Sequence, residues 1–337
     1  MCRPQGDTAL PPTPETTPTA TPVGPADPEP ERSSIEDAVI RAIVRATHAP
    51  PPPAGPGDDA AVLTDGLVVT VDTLVAGVHW DDRLSMADVG YKAVAVSVSD
   101  LAAMGARPAW MVLALTLPTP SMAGFAEGFA EAARTFGVTL VGGDTTMGPT
   151  PTVTVTMAGR CVAAPMLRSG ARVGDLVWAT GTPGLAGAGW RLSNPPEPAL
   201  AALRRPVPPL AFALALAQAG LASAAMDLSD GVGADLRRLC AASRVGVEVD
   251  GDALVAGLLP WVTEADDALG CAIGGGDDYQ LLFTSPAVHN ADVAAIAAAH
   301  GVRVTPIGVV TAAGLLLRHG GTPTALGGPA FAHWEAA

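Results

Sequence analysis

Lysine is almost missing from this chain of 337 residues: Lys92 is the only one, and it stands between Tyr91 and Ala93. A Walker A loop needs a Gly-Lys-Ser/Thr ending, so that phosphate cradle is excluded. The protein-kinase set is missing too, since no glycine-rich loop precedes a strand lysine and no His-Arg-Asp triplet occurs. With 33 acidic against 19 basic residues the net charge is −14, which argues against nucleic acid as a partner. The four cysteines, Cys2, Cys161, Cys240 and Cys271, lack Cys-x-x-Cys spacing; they read as inert reduced thiols, not as a disulfide frame or a zinc site. Long apolar runs are absent: stretches such as Trp110 to Leu115 and Leu210 to Ala217 fall far short of the roughly 20 residues of a membrane span. Nor does the start of the chain carry the apolar core of a signal peptide, so a cytoplasmic protein with no membrane partner is expected.

What is present is enough apolar material, 49% of residues, to build two domains with sizeable cores. Residues 1–33 hold nine prolines and six threonines and few large apolar side chains, so they read as a disordered tail. Order is expected from Ser33, where Ser33 to Glu36 reads as a capping box before the helical spacing of Ile35, Val39, Ile40, Ile43 and Val44. Strand-like and helix-like segments then alternate. Leu67 to Val71, Trp110 to Leu117, Val138 to Val141 and Thr152 to Val162 read as strands, with helices over Ser85 to Met104 and Ser121 to Phe136. The mixture repeats beyond Arg168, with strands at Leu176 to Ala179, Gln280 to Thr284, Val302 to Val310 and Leu315 to Arg318. Helices are expected around Leu210 to Gln218, Gly231 to Ala242 and Ala287 to His300. The expectation is an α/β protein with an N-terminal domain over 34–167 and a C-terminal domain over 168–337; periodicity leaves the strand order open.

Acidic residues recur beside glycine at the ends of these elements: Gly57-Asp58-Asp59, Val71-Asp72-Thr73, Ser99-Asp100, Gly142-Gly143-Asp144-Thr145-Thr146, Asp227-Leu228-Ser229-Asp230-Gly231 and Gly275-Gly276-Asp277-Asp278. One such site is ordinarily a turn or a cap. Six in apolar frames point instead to carboxylates gathered in a cleft, which is tolerable only if cations neutralise them. Mg²⁺ suits oxygen ligands and bridges carboxylates to phosphates, while glycines let backbone amides approach those phosphates. Thr70 and Asp72, two apart on a strand, share a face; Asp58 and Asp59 do not, so one of them is structural. Asp227 and Asp230 flank a strand-to-helix junction, where Ser229 either caps the helix or meets a phosphate.

These motifs, with Val71 to Trp80, Tyr91-Lys92-Ala93 and Ser99 to Ala106, resemble the thiamine-monophosphate kinase family of the aminoimidazole ribonucleotide synthetase superfamily, over the chain from about Ser34 onward. The resemblance implies that superfamily's two-domain α/β architecture with mixed sheets, and a homodimer paired through its N-terminal halves. It also implies direct in-line transfer of the γ-phosphoryl group of ATP onto thiamine monophosphate. By motif position, Asp59, Thr70, Val71 through its carbonyl, Asp72, Asp100, Asp144, Asp227 and Asp230 resemble the ligands of several Mg²⁺ ions. Gly143, Asp144, Arg168 and Ser229 resemble the ATP contacts, and His79, Asp277 and Phe331 those of thiamine monophosphate; no side chain is needed as a nucleophile. The chain departs from the family's Glu-Asp-Tyr-Glu, reading Asp277-Asp278-Tyr279-Gln280, one methylene shorter at the substrate position. The alternative is another ATP-using enzyme of the superfamily, with aminoimidazole ribonucleotide synthetase itself set apart by the Asp72 to Trp80 stretch. A non-catalytic calcium binder would show a regular ligand repeat, and none occurs.

Overall fold

The computed structural model describes residues 35–119 and 122–327; the expected tail over residues 1–33 and Phe331 lie outside the described residues. The first part of the chain contains α1 (Ile35–Thr47), β1 (Ala61–Val62), β2 (Leu67–Val75), α2 (Met86–Ala103), β3 (Ala106–Leu117), α3 (Phe125–Phe136), β4 (Thr139–Met147) and β5 (Thr152–Cys161). The second part begins with β6 (Asp175–Thr180), α4 (Leu185–Arg191), α5 (Glu197–Arg204), α6 (Leu210–Ala219), β7 (Ala224–Leu228), α7 (Val232–Ser243), β8 (Gly246–Asp250) and α8 (Gly251–Leu258). It continues through α9 (Ala265–Gly274), β9 (Gln280–Pro286), α10 (Asn290–Ala299), β10 (Val304–Thr311), β11 (Leu315–His319) and β12 (Thr322–Ala325).

Both sheets are mixed. The first runs β1-β2-β5-β3-β4, with β3 and β4 parallel and the other neighbours antiparallel. The second runs β12-β11-β8-β10-β6-β9-β7, with only β8 and β11 parallel. Alternation along its central strands sends Val177, Ala179 and Leu282 into one apolar layer with α7, α8 and α9, and Trp178, Leu281 and Phe283 into another with α6 and α10. Among the described residues the first sheet is packed by α2, with α3 lying on α2.

Helix α2 joins the two halves. Ser85 and Asp88 close its start as a capping box, the Ser85 hydroxyl accepting from the Asp88 amide at 3.2 Å and the Asp88 carboxylate accepting from the Ser85 amide at 3.1 Å. From Val89 to Ser99 every residue is buried, because α2 packs against β2, β3 and β5 of the first sheet and against β7 and β9 at one edge of the second. Small side chains make that possible. At the α2–α3 crossing, a Cβ on Gly128 would collide with the carbonyl of Ala87.

Two strands run past their sequence reading, each because pairing outruns the local signal. Strand β2 continues through Asp72 to Val75 because β5 matches it residue for residue as far as Thr152, so Asp72 sits within the strand and not at its end. Strand β4 runs through both glycines to Met147, zipped in parallel against β3. The proline-dense segment after Leu192 holds α5, with Pro196 at its N-cap and Pro198 in its first turn, where a missing N–H is harmless.

Candidate active site

A cleft of about 970 Å³ opens where β2, α2, α4, β7 and the 274–279 loop meet. Three carboxylates from three separate elements converge in it. Asp59 follows the Gly57 turn, Asp100 lies in the last turn of α2, and Asp227 belongs to β7; an oxygen from each lies within 4.8 Å of the others. Asp59 and Asp227 are buried. Asp72, on β2, lines the same cleft, and the Thr70 hydroxyl beside it donates to Asp100 Oδ2. Strand β1 pairs with β2 only at Val68 and Val69, so from Thr70 to Leu74 that side of β2 carries no strand, and Val71 is exposed in the cleft.

Electrostatics show what this gathering costs. Loss of hydration, reinforced by the charges of Asp72, Asp227 and Asp59, holds Asp100 well above the ordinary carboxylate range. Burial, then Asp59 and Asp235, does the same to Asp227, although the Ser99 hydroxyl donates to it at 2.9 Å. Asp72 is pushed up to about 6, chiefly by burial. The compensating cation among the described residues is Arg168, whose guanidinium meets Asp59 Oδ1 at 2.6 Å. Burial alone would lower its pKa, but Asp59, with help from Asp227 and Asp58, raises it, so Arg168 stays charged. Asp59 Oδ2 remains buried without a hydrogen-bond partner. Hard oxygen donors, an unpartnered oxygen and mutual repulsion together fit a divalent cation.

The other sequence candidates distribute as follows. Asp58 is the structural member of its pair, accepting from the Arg168 amide at 2.7 Å and so aiming Arg168 at Asp59. Ser229 lines the cleft but does not cap α7: the amides of Ser229 and Asp230 both donate, at 3.1 Å, to Asp235 within the helix. Asp230 lies on the cleft wall and pairs with Arg238 at 2.5 Å. His79 Nδ1 accepts from the Val75 amide at 3.0 Å, which places its ring in the wall. Gly143 and Asp144 stand apart from this group. They lie on the edge strand β4, and the register Asp72–Val155–Leu113–Gly143 puts three strand spacings, roughly 14 Å, between them and Asp72.

Asp277 lies in the loop Gly276-Asp277-Asp278-Tyr279, whose φ angles of 66°, 66° and 49° at Gly276, Asp277 and Tyr279 are left-handed. Such values oppose a side chain, so the loop must be held. The amides of Asp277 and Tyr279 donate to the carbonyls of Ser229 (2.7 Å) and Leu228 (2.8 Å), and Asp278 accepts from the amides of Gly184 (2.5 Å) and Ala186 (3.1 Å). Asp277 Oδ2 then receives Lys92 Nζ and Trp190 Nε1, each at 2.6 Å. Sequence reasoning missed Lys92, Trp190 and Tyr279 as site residues. The available signal was a lysine inside the apolar run of α2, which excluded other phosphate chemistry and formed part of a family motif without being read as a site residue.

Residues 57–161 match the N-terminal domain model of AIR synthase related proteins and residues 172–317 its C-terminal domain model. The thiamine-monophosphate kinase of Salmonella typhimurium is 40% identical over 277 residues, covering 77% of this chain and 84% of that protein. The crystal structure of thiamine-monophosphate kinase from Stenotrophomonas maltophilia K279a superposes with a TM-score of 0.69 at 37% identity, covering 83% of this chain and 95% of that one. A structure described as AaThiL complexed with AMPPCP and TMP superposes with a TM-score of 0.75 at 26% identity, covering 92% and 100%.

Proposed function

The chain belongs to the thiamine-monophosphate kinases of the AIR synthase related family, and on that premise we propose that it transfers the γ-phosphoryl group of ATP to thiamine monophosphate, forming thiamine diphosphate and ADP. The observation that carries this reading is the meeting of Asp59, Asp72, Asp100 and Asp227 with Arg168 in a cleft also lined by His79 and Asp277. A terminal oxygen of the substrate phosphate attacks the γ-phosphorus, the bond to the β–γ bridging oxygen breaks, and its electron pair leaves with ADP. With a second pKa near 6, the attacking phosphate is largely dianionic at neutral pH, so positioning and charge neutralisation replace a general base.

In this reading Asp59, Asp72, Asp100 and Asp227 hold Mg²⁺, with Thr70, the Val71 carbonyl and Asp230 beside them; Asp230 serves only if Arg238 shares it. When bound, Mg²⁺ supplies the positive charge that a chain with one lysine lacks. Arg168 keeps its charge toward the nucleotide, Ser229 presents its hydroxyl on the same wall, and His79 and Asp277 hold thiamine monophosphate. Gly143 and Asp144 reach an ATP site in a homodimer. Every residue of the edge strand β4 is exposed, Leu140, Val141 and Met147 among them, and so are Val39, Ile40 and Ile43 of α1, apolar surface that a second copy would cover. The reduced thiols favour the cytoplasm as its place.

Incubation with thiamine monophosphate and Mg-ATP, followed by chromatography, is expected to yield thiamine diphosphate and ADP in equal amounts. Hydrolysis of ATP without thiamine diphosphate would overturn the reading. Light scattering is expected to give twice the chain mass of 33.7 kDa, and a monomer at working concentration would remove the homodimer.

A further inference from the structure

The only lysine of the chain lies behind the wall of this cleft, paired with Asp277, which lines it. Lys92 has a wholly buried side chain, and burying an ammonium group without a partner is prohibitive. Its ion pair among the described residues is with Asp277 Oδ2 at 2.6 Å, and its Nζ also lies 5.9 Å and 6.0 Å from the ring centroids of Trp190 and Tyr279. Trp190 Nε1 donates to the same oxygen at 2.6 Å. Lys92 and Trp190 together occupy Oδ2 and the Tyr279 hydroxyl also donates to this carboxylate, so a donor from a ligand falls to the remaining lone pairs of Oδ1. The backbone behind this carboxylate is fixed by the left-handed loop and its anchors on Ser229 and Leu228. A shorter acid at 277 therefore does not swing freely; it is clamped at one oxygen by a neighbouring helix.

We propose that Lys92 is a positioning residue of the substrate site, which orients and neutralises Asp277 so that the carboxylate meets the substrate as a hydrogen-bond acceptor for an exocyclic amine of a pyrimidine ring, not as the counter-ion of a cationic ring. The inference rests on the reading above that Asp277 faces thiamine monophosphate. An unpaired carboxylate would bind any cation that fits. Paired with Lys92, its net charge is cancelled while Oδ1 keeps its lone pairs, so selection shifts from charge to hydrogen-bond geometry.

The test is calorimetric titration of thiamine monophosphate, without nucleotide, into wild type, Lys92→Met, Asp277→Asn and the double variant, alongside steady-state KM values for both substrates. Lys92→Met is expected to weaken thiamine monophosphate binding by about tenfold or more, the scale for losing a charge-assisted hydrogen bond, with the KM for ATP unchanged. The double variant is expected to bind no more weakly than Asp277→Asn, because Lys92 acts through that carboxylate. An analogue without the pyrimidine amine should bind wild type more weakly than the parent compound and lose that difference in Lys92→Met. If Lys92→Met fails to fold, the double variant, which leaves no unpaired charge, carries the comparison with Asp277→Asn. Unchanged affinity in Lys92→Met, additive losses, or equal losses for both substrates would each overturn the proposal. A wild type that binds thiamine monophosphate yet forms no thiamine diphosphate would instead strike the reaction and leave this assignment standing.

Discussion

Asp227 works against the fold in the position where it is useful. Burial and the charges of Asp59 and Asp235 lift its pKa, and only Ser99 and Arg168 offset them. Asparagine keeps an oxygen for Ser99 and removes the repulsion. Asp227→Asn is therefore expected to melt no lower than wild type in the absence of metal while turnover falls by about 10² to 10³, the scale for one preorganised electrostatic contact. Wild-type turnover in that variant would refute its role. At this scale residue chemistry showed which residue types gather, while the choice of Asp59 over Asp58 came from the family resemblance and not from spacing. Asp58 and Asp59 are adjacent and alike in sequence; only the path of the chain turns one to the Arg168 amide and the other to its guanidinium.

Helix α2 carries Lys92, Ser99 and Asp100, so the precision of the site depends on how this element is seated. Its capping box lies at the surface, away from the cleft. Ser85→Ala is expected to lower stability by about 1 kcal/mol in chemical denaturation with kcat unchanged. Gly128→Val should be far worse, because the new side chain meets the Ala87 carbonyl and forces α3 off α2; we expect a loss of about 3 kcal/mol or more by the same measurement. A mild effect there would show that the helices part without penalty. Helix α2 was legible, but the burial of its polar residues Lys92, Ser97 and Ser99 follows only from the sheets that close over it. Strands β7 and β8, five residues each, gave no separate signal, although the junction read between Asp227 and Asp230 is there, with β7 ending at Leu228 and α7 starting at Val232.

Across the molecule, the raised carboxyls set a pH dependence with a definite sign. Burial lifts Asp58 and Asp72 to about 6 and Asp235 and Asp278 to about 7, against 3.8 for an ordinary aspartate. Such groups hold protons more tightly folded than unfolded, so their contribution is fully present below 3.8 and is lost as pH rises through the folded values. In EDTA the melting temperature is expected to fall between pH 5 and pH 8 and to level off above. Mg²⁺, which needs the deprotonated carboxylates, should raise it more at pH 8 than at pH 5.5. A melting temperature in EDTA that climbs over that range would mean that other groups govern stability.

The ordered motifs carried the resemblance to the family, the alternation of strand-like and helix-like segments gave the α/β class, and the recurrence of aspartate beside glycine pointed to a divalent cation. That such carboxylates gather was expected from the sequence; which of them meet within 4.8 Å, Asp59, Asp100 and Asp227, depends on loops and a helix that bring together positions as far apart as 59 and 227. Tertiary structure alone set Gly143 and Asp144 on an open edge, three strands from Asp72, and joined the single lysine to Asp277, 185 residues away. Spacing governs which face of an element a residue takes; which faces meet is decided by sheet order and packing, and neither is written in any one segment.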